Sequence, residues 1–252
     1  MEALISIEGV YKKYGQEEVL KGVDLEIFRG ETILIFGGSG VGKSVLLRLI
    51  NGLEKPDKGK IRIKGQEITR LNEYELAPVR KKIGFLFQGS ALFDSMTVEE
   101  NVSLPLLEHS KLSPSARKKM VKLLLELVEL DYEADRWKRP SELSGGMQRR
   151  VSLARTLILN PEIVLYDEPT TGLDPVKADN ICRLIKRFQY KQGITSVVVT
   201  HDMVAAEKIA DYMAMLYNGS IIISGTSDDV QQSQNPVVQQ FIRGDSQFPV
   251  TK

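Results

Sequence analysis

Cysteine is nearly missing from this chain: Cys182 is the only one in 252 residues. That excludes an internal disulfide framework and any cysteine-rich zinc or iron–sulfur site, and it points to a reducing compartment. Long hydrophobic runs are missing too. The longest uninterrupted one, residues 212–217, has six residues, against about 20 for a membrane-spanning helix. Any membrane role is therefore expected to come through a partner subunit. The opening stretch, MEALISIEGVYKKYG, has no charged start followed by an apolar core and a small-residue cleavage site, so it does not read as a signal peptide. No charge sign dominates. Lys+Arg number 34 and Asp+Glu 33, for a net charge of +1, which gives no support to a broad basic surface for nucleic acid. Repeats and low-complexity linkers are lacking as well. What remains is ordinary for a globular protein: 42% hydrophobic and 27% charged residues, in a chain long enough to bury about three quarters of its unfolded surface.

Two β-rich stretches, residues 4–10 and 19–28, open the sequence, punctuated by Gly15 and Gly30 as turns require. Residues 32–36 read as a short buried strand running into a glycine-rich loop and a helix over 43–52. Strands are expected at 60–64 and 82–88. The middle is helical. Thr97-Val98-Glu99-Glu100 has the form of a capping box, and Pro105 is expected to limit the helix it starts. Ser113-Pro114 reads as an N-cap with proline at the first helical position. Met120, Leu123, Leu124, Leu127 and Leu130 then fall at helical spacing, with Arg117, Lys118, Lys119 and Lys122 on the remaining, solvated positions. After Pro140, apolar strands at 163–167, 195–200 and 212–217 alternate with helices at 148–159, 176–192 and 203–210. That alternation predicts a parallel sheet covered on both faces. Residues 245–252 are expected to be poorly ordered.

The strongest local signal is Gly37-Gly38-Ser39-Gly40-Val41-Gly42-Lys43-Ser44. It fits the phosphate-loop pattern G-x-x-x-x-G-K-[ST], with a strand before it and a helix after it. Glycines let the loop turn its backbone N–H groups toward phosphate oxygens, and the helix N-terminus adds roughly half a positive charge. Lys43 would reach the β- and γ-phosphates, and Ser44 would hold magnesium. A second signal is the strand end at Asp167-Glu168. Two adjacent carboxylates there are costly unless something cationic is near. Alone they read as solvated; beside a phosphate loop, Asp167 suits magnesium and Glu168 suits a general base acting on water. The third is Leu143-Ser144-Gly145-Gly146-Met147-Gln148-Arg149-Arg150. By itself it is an N-cap. As a second anion-binding helix start in a chain with one phosphate loop, it suggests a dimer in which each nucleotide lies between two copies.

The order of these elements, from about residue 4 to 244, resembles the ATP-binding subunits of ABC transporters. Residues 37–44 look like Walker A, together with Val45 behind it. Leu143 to Met147 resembles the ABC signature, and residues 163–168 resemble Walker B with its catalytic glutamate. Gln88 after Phe85-Leu86-Phe87 is similar to the Q-loop, Gly172-Leu173-Asp174 to the D-loop, and Thr200-His201-Asp202 to the switch histidine. Tyr14 sits where the family places an adenine-stacking aromatic. The resemblance implies an α/β fold of the P-loop NTPase ABC ATPase type: a RecA-like parallel-sheet core, an N-terminal antiparallel β-subdomain and an inserted α-helical subdomain at about 89–160. It implies one domain over residues 1–244 with a tail at 245–252. Also implied are ATP and Mg2+ as the bound groups, and a head-to-tail dimer in which Ser144, Gly145, Gly146 and Met147 of one copy, with Asp174, complete the site around Lys43 of the other. Glu168, His201 and Gln88 would be catalytic; Ser44, Gln88 and Asp167 would meet the metal.

Finer features narrow the resemblance. Met147 stands where the family usually has glutamine, and Val45 where threonine is common. The stretch after Gln88, through Ala91-Leu92-Phe93 and on to Glu108-His109, resembles the ATPases of Mla- and Mce-type lipid transporters, as does the ending at Pro236 to Gly244. This implies an integral membrane permease as partner, with lipid-binding accessory subunits, and a peripheral place on the cytoplasmic face of a bacterial inner membrane. Ala91, Leu92 and Phe93 read either as a permease-facing apolar patch or as ordinary core. Alternatives are an ABC ATPase for amino acids, metals or lipoproteins, and a soluble one for cluster assembly.

Overall fold

In the computed structural model, residues 2–244 are described, apart from the side chains at 204–206; the tail expected to be poorly ordered, 245–252, lies outside the described residues. The chain opens with β1 (Ile5–Tyr14), β2 (Glu17–Ile27), β3 (Thr32–Phe36) and α1 (Lys43–Ile50), followed by β4 (Lys58–Ile63), β5 (Gln66–Glu67), α2 (Glu73–Arg80) and β6 (Ile83–Leu86). A helical stretch follows: α3 (Val98–His109), α4 (Pro114–Leu127), α5 (Tyr132–Asp135) and α6 (Gly145–Leu157). It ends with β7 (Ile163–Asp167), α7 (Pro175–Gln192), β8 (Thr195–Thr200), α8 (Met203–Ile209), β9 (Tyr212–Tyr217), β10 (Ser220–Gly225), α9 (Ser227–Gln231) and α10 (Pro236–Ile242).

Two sheets result. β2-β1-β4-β5 is antiparallel, and β10-β9-β3-β8-β7-β6 is parallel except for its β10 edge. The parallel strands have no polar face, because both of their faces are covered. Along β3, Ile33 and Ile35 enter the core shared with the N-terminal sheet and α1, whereas Leu34 and Phe36 enter the core shared with α6 and α7. β7 and β8 divide in the same way: Leu165 and Val197 face one core, Tyr166 and Val198 the other. The two sheets are tied together where Lys21 N donates to Gly219 O at 2.7 Å and Ser220 Oγ donates to Lys21 O at 2.9 Å.

Several expectations need correction. Pro105 does not limit α3, which continues to His109. Val102 and Leu106 are buried on either side of the proline, and the backbone N–H and Oγ of Ser110 both donate to Leu106 O, so packing and a local cap hold the last turn despite the missing donor. The capping box at Thr97 and Glu100 is present, as is the Ser113 N-cap. The buried stripe of α4 contains Leu124, with Leu130 beyond it and Met120 and Leu127 packed against the same core, but it is wider than the one read in the sequence and leaves out Leu123. Val121, Leu124, Leu125 and Val128 are buried, while Leu123 is 56% exposed. β1 runs four residues beyond position 10, to a tight turn where Gly15 has φ 58°. α6 starts at Gly145 rather than at 148. α2, with a capping box between Asn72 and Glu75, is an element the sequence reading did not contain.

Candidate functional site: a phosphate cleft at the strand ends

Four neighbouring parallel strands, in the order β3-β8-β7-β6, deliver every central site residue from their carboxyl ends. This is where open α/β sheets hold ligands. β3 runs into Gly37, β8 into His201, β7 into Glu168, and β6 into Phe87 and Gln88. The register fixes their relative heights: Phe36 pairs with Thr200, Asp167 with Val199, and Leu86 with Tyr166. The result is a cleft of about 370 Å³ lined by Ser39, Gly40, Gly42, Lys43, Ser44, Val45, Gln88, Glu168 and His201, together with Val19.

The loop needs its glycines. A Cβ on Gly37 would lie 2.2 Å from Leu216 O, and one on Gly42, at φ 104°, would lie 2.9 Å from the side chains of Val19 and Leu20. Gly42 leads into α1 with no side-chain cap, and the first turn of α1 holds no acidic residue. By contrast α2, α3 and α9 each close their N-terminus with a capping box. The α1 N–H groups are thus left for an anion.

Lys43 is buried, and its Nζ donates to Gly37 O at 2.9 Å and Gly38 O at 2.8 Å, with Glu168 Oε1 at 3.8 Å. Burial pushes its pKa below the ordinary lysine value, opposed by the charges of Glu168 and Asp167. Ser44 Oγ donates to Asp167 Oδ1 at 2.7 Å. Burial raises the Asp167 carboxyl above the usual range; the Ser44 hydrogen bond opposes that and the nearby Glu168 charge adds to it. A carboxylate in that position favours the arrival of a cation.

Glu168 is the most constrained side chain in the cleft. Its backbone adopts φ 48°, a left-handed conformation unusual for a residue other than glycine. Its N–H donates to Val199 O at 3.0 Å. Thr171 Oγ1 and Thr200 Oγ1 donate to its Oε2 at 2.9 and 3.1 Å, and His201 Nδ1 lies 3.0 Å from the same oxygen. One carboxylate oxygen is thereby fixed, and Oε1 faces Lys43. The sequence reading assigned no role to Thr171 or Thr200. Thr200 stood inside a motif it singled out, one residue before His201.

Other expected site residues lie outside the cleft lining. Gly37 and Gly38 sit behind it as the carbonyl partners of Lys43, Val41 packs in the core, and Asp167 stands behind Ser44. Tyr14 is 43% exposed and does not line the cleft. Its hydroxyl donates to Glu54, which also accepts from Arg48 Nε at 2.7 Å, and Lys12 Nζ lies 5.3 Å from its ring centre. Ser144, Gly145, Gly146 and Met147 form a separate surface. Ser144 caps α6 by accepting from Met147 N, and Ser144 and Gly145 are exposed. A Cβ on Gly146 would lie 3.0 Å from Lys177 Cδ, so this helix start adjoins the start of α7. There Asp174 accepts from Lys177 N at 3.0 Å and pairs with Lys177 Nζ at 2.6 Å. The starts of α6 and α7 thus adjoin on a surface apart from the cleft lining.

Comparison with known proteins identifies the family. Residues 20–171 match the ABC transporter family. The chain is 40% identical over 247 residues, 98% of its length and 93% of the relative's, to the intermembrane phospholipid transport system ATP-binding protein MlaF of Haemophilus influenzae. It is 40% identical over 241 residues to the methionine import ATP-binding protein MetN of Brucella abortus, covering 95% of this chain but 64% of that one. Among solved structures, the dimeric post-hydrolysis state of the ATP-binding cassette MJ0796 bound to ADP and Pi superposes with a TM-score of 0.82 at 37% identity, covering 88% of this chain and 98% of that one. Phosphate loop, paired carboxylates, His201 and glycine-rich helix start thus stand in the architecture of an ATP-binding cassette, and the chain belongs to the ABC transporter family as an ATP-binding, ATP-hydrolysing subunit.

Proposed function

We propose that this subunit powers movement of phospholipid-type lipids through a partner permease, and that it works as a head-to-tail dimer of itself. One observation carries the dimer: Ser144 and Gly145, exposed at the start of α6, take no part in the cleft of their own chain. A second copy supplies what each cleft lacks, and the dimeric state of the MJ0796 cassette supports this arrangement. The lipid cargo rests on the resemblance to MlaF across nearly the whole of both chains.

The residues divide the chemistry among them. Lys43 and the N-terminus of α1 hold the β- and γ-phosphates. Glu168 accepts a proton from water as the water oxygen attacks the γ-phosphorus, the bond to the β-phosphate oxygen breaks, and ADP and phosphate leave. His201, aligned through Nδ1 on Glu168, holds a γ-phosphate oxygen. The nearby donors suit magnesium: a hydroxyl and a carboxylate 2.7 Å apart, with an amide lining the same cleft. This is a short set of hard oxygen ligands, and Mg2+ takes one or two of these with phosphate oxygens and keeps several waters. Bound there, it would neutralise charge on the phosphates. Tyr14 would stack on adenine once its hydroxyl leaves Glu54. Asp174 would face the other copy.

The permease and any lipid-binding accessory subunits are read as separate chains, with this subunit peripheral on the cytoplasmic face; the likeness to MlaF, the ATP-binding protein of an intermembrane phospholipid transport system, supports this, and among the described residues no helix is long and apolar enough to cross a membrane. The test is mass spectrometry of the native complex from gently solubilised membranes. A permease carrying bound phospholipid is expected. The resemblance to MetN makes a permease with an amino-acid-binding accessory protein the specific competing outcome, and it would discard the lipid assignment. A complex with no membrane protein would overturn the transport reading.

A further inference from the structure

Helix α6 does more than present Ser144. Three residues on one of its faces, Arg149, Ser152 and Arg155, are spaced i, i+3, i+6, and all three donate to the backbone of the segment that carries Gln88. Arg149 Nη1 donates to Phe87 O at 2.8 Å and Nη2 to Gln88 O at 2.6 Å. Ser152 Oγ donates to Ser90 O at 2.7 Å, and Arg155 Nη2 to the same oxygen at 3.1 Å.

The segment being held is strained. Ser90 and Ala91 are successive residues at positive φ, 59° and 48°, and neither is glycine. Such a conformation persists only where the surroundings impose it. Arg149 is itself an expensive way to impose it. It is 4% exposed, its Nε has no hydrogen-bond partner among the described residues, and its two guanidinium bonds go to carbonyls rather than to a carboxylate. Burying that charge for packing alone is unfavourable.

We infer that Arg149 is a positioning residue for ATP hydrolysis, whose two-pronged hold on Phe87 and Gln88 makes the Gln88 loop and the Ser144 helix start move as one body. The inference rests on the proposed roles of Gln88 and Ser144. Arg149 touches no reacting atom. It sets where the Gln88 side chain stands, and it makes that position follow the engagement of Ser144 with the other copy's nucleotide.

The test is a double-mutant cycle on the full-length protein, reading kcat, KM for ATP and amide exchange. Arg149→Ala is expected to lower kcat by up to about 100-fold, the scale of an ångström-sized misplacement, with KM changed less than about twofold. Amide exchange should rise over residues 88–91 and not along α6. In a Gln88→Ala background the same substitution should cost less than about twofold more, because its effect runs through Gln88. Arg149→Lys keeps the charge and the stem but not the fork. It should fold if Arg149→Ala does not, and should fall between wild type and alanine in kcat. An equal loss from Arg149→Ala in both backgrounds, or no loss of kcat, would overturn the inference. If Gln88→Ala itself leaves kcat unchanged, the reading of Gln88 has failed, and the inference falls with it for that separate and visible reason.

Discussion

Glu168→Gln is expected to lower kcat by about 100- to 10,000-fold, the range for removing a positioned general base, while ATP binding survives. The geometry explains both halves. Glutamine has nearly the same shape, and its side-chain oxygen can still accept from Thr171 Oγ1 and Thr200 Oγ1, which now donate to Glu168 Oε2. The backbone strain at φ 48° and the bond from Glu168 N to Val199 O do not depend on the side-chain charge. What would disappear is the carboxylate proposed to accept the proton of the attacking water. Lys43 keeps both carbonyl partners, Gly37 and Gly38, so the phosphate loop stays in place. Steady-state turnover and nucleotide binding, measured on the same preparation, check this. Wild-type turnover would remove Glu168 from its assigned role.

Lys43→Ala should have the opposite signature, with binding lost rather than chemistry alone. The ammonium is buried at the head of the cleft among two carbonyls and Glu168 Oε1 at 3.8 Å, and burial already disfavours its charge. A phosphate chain replaces weak partners with full negative charges, and charge-assisted bonds in a dehydrated site are the strong ones. Loss of about 3 kcal/mol, the upper value for a hydrogen bond to a charged group, corresponds to a Kd for ATP raised about 100-fold. Calorimetric titration measures it directly. Unchanged affinity would contradict the phosphate role.

Most of the central site could be read in the sequence, because its chemistry is local. The phosphate loop, the Asp167-Glu168 strand end and the Ser144 helix start are each contiguous, and the strands that deliver them are short, apolar and bounded by turns. The positions of β3, β7, β8 and β9 follow from the same property: burial on both faces leaves no alternation to misread. Less local features did not show. Arg149 lay inside a motif read for its glycines, yet its partners are the carbonyls of Phe87 and Gln88, some sixty residues earlier in the chain. Thr171 and Thr200 reach Glu168 from two different elements. On α4, several leucines competed for one face, and packing against α3 and α6 chose Leu125 and Val128 over Leu123. Pro105 shows the same thing at the level of the backbone: a local rule against helix yielded to the buried Leu106 beyond it.

The proposed mechanism requires a site shared between two copies. The most direct measurement is the mass in solution of Glu168→Gln with saturating ATP and Mg2+, alone and combined with Ser144→Arg. The single variant should pass from the monomer mass of 28.2 kDa to twice that value, with one ATP retained per chain. The double variant should still bind ATP through its own Lys43 cleft but remain monomeric, because an arginine at the exposed start of α6 blocks the surface meant for the other copy's nucleotide. A Glu168→Gln protein that binds ATP and stays monomeric, or a double variant that dimerises equally well, would contradict the shared site.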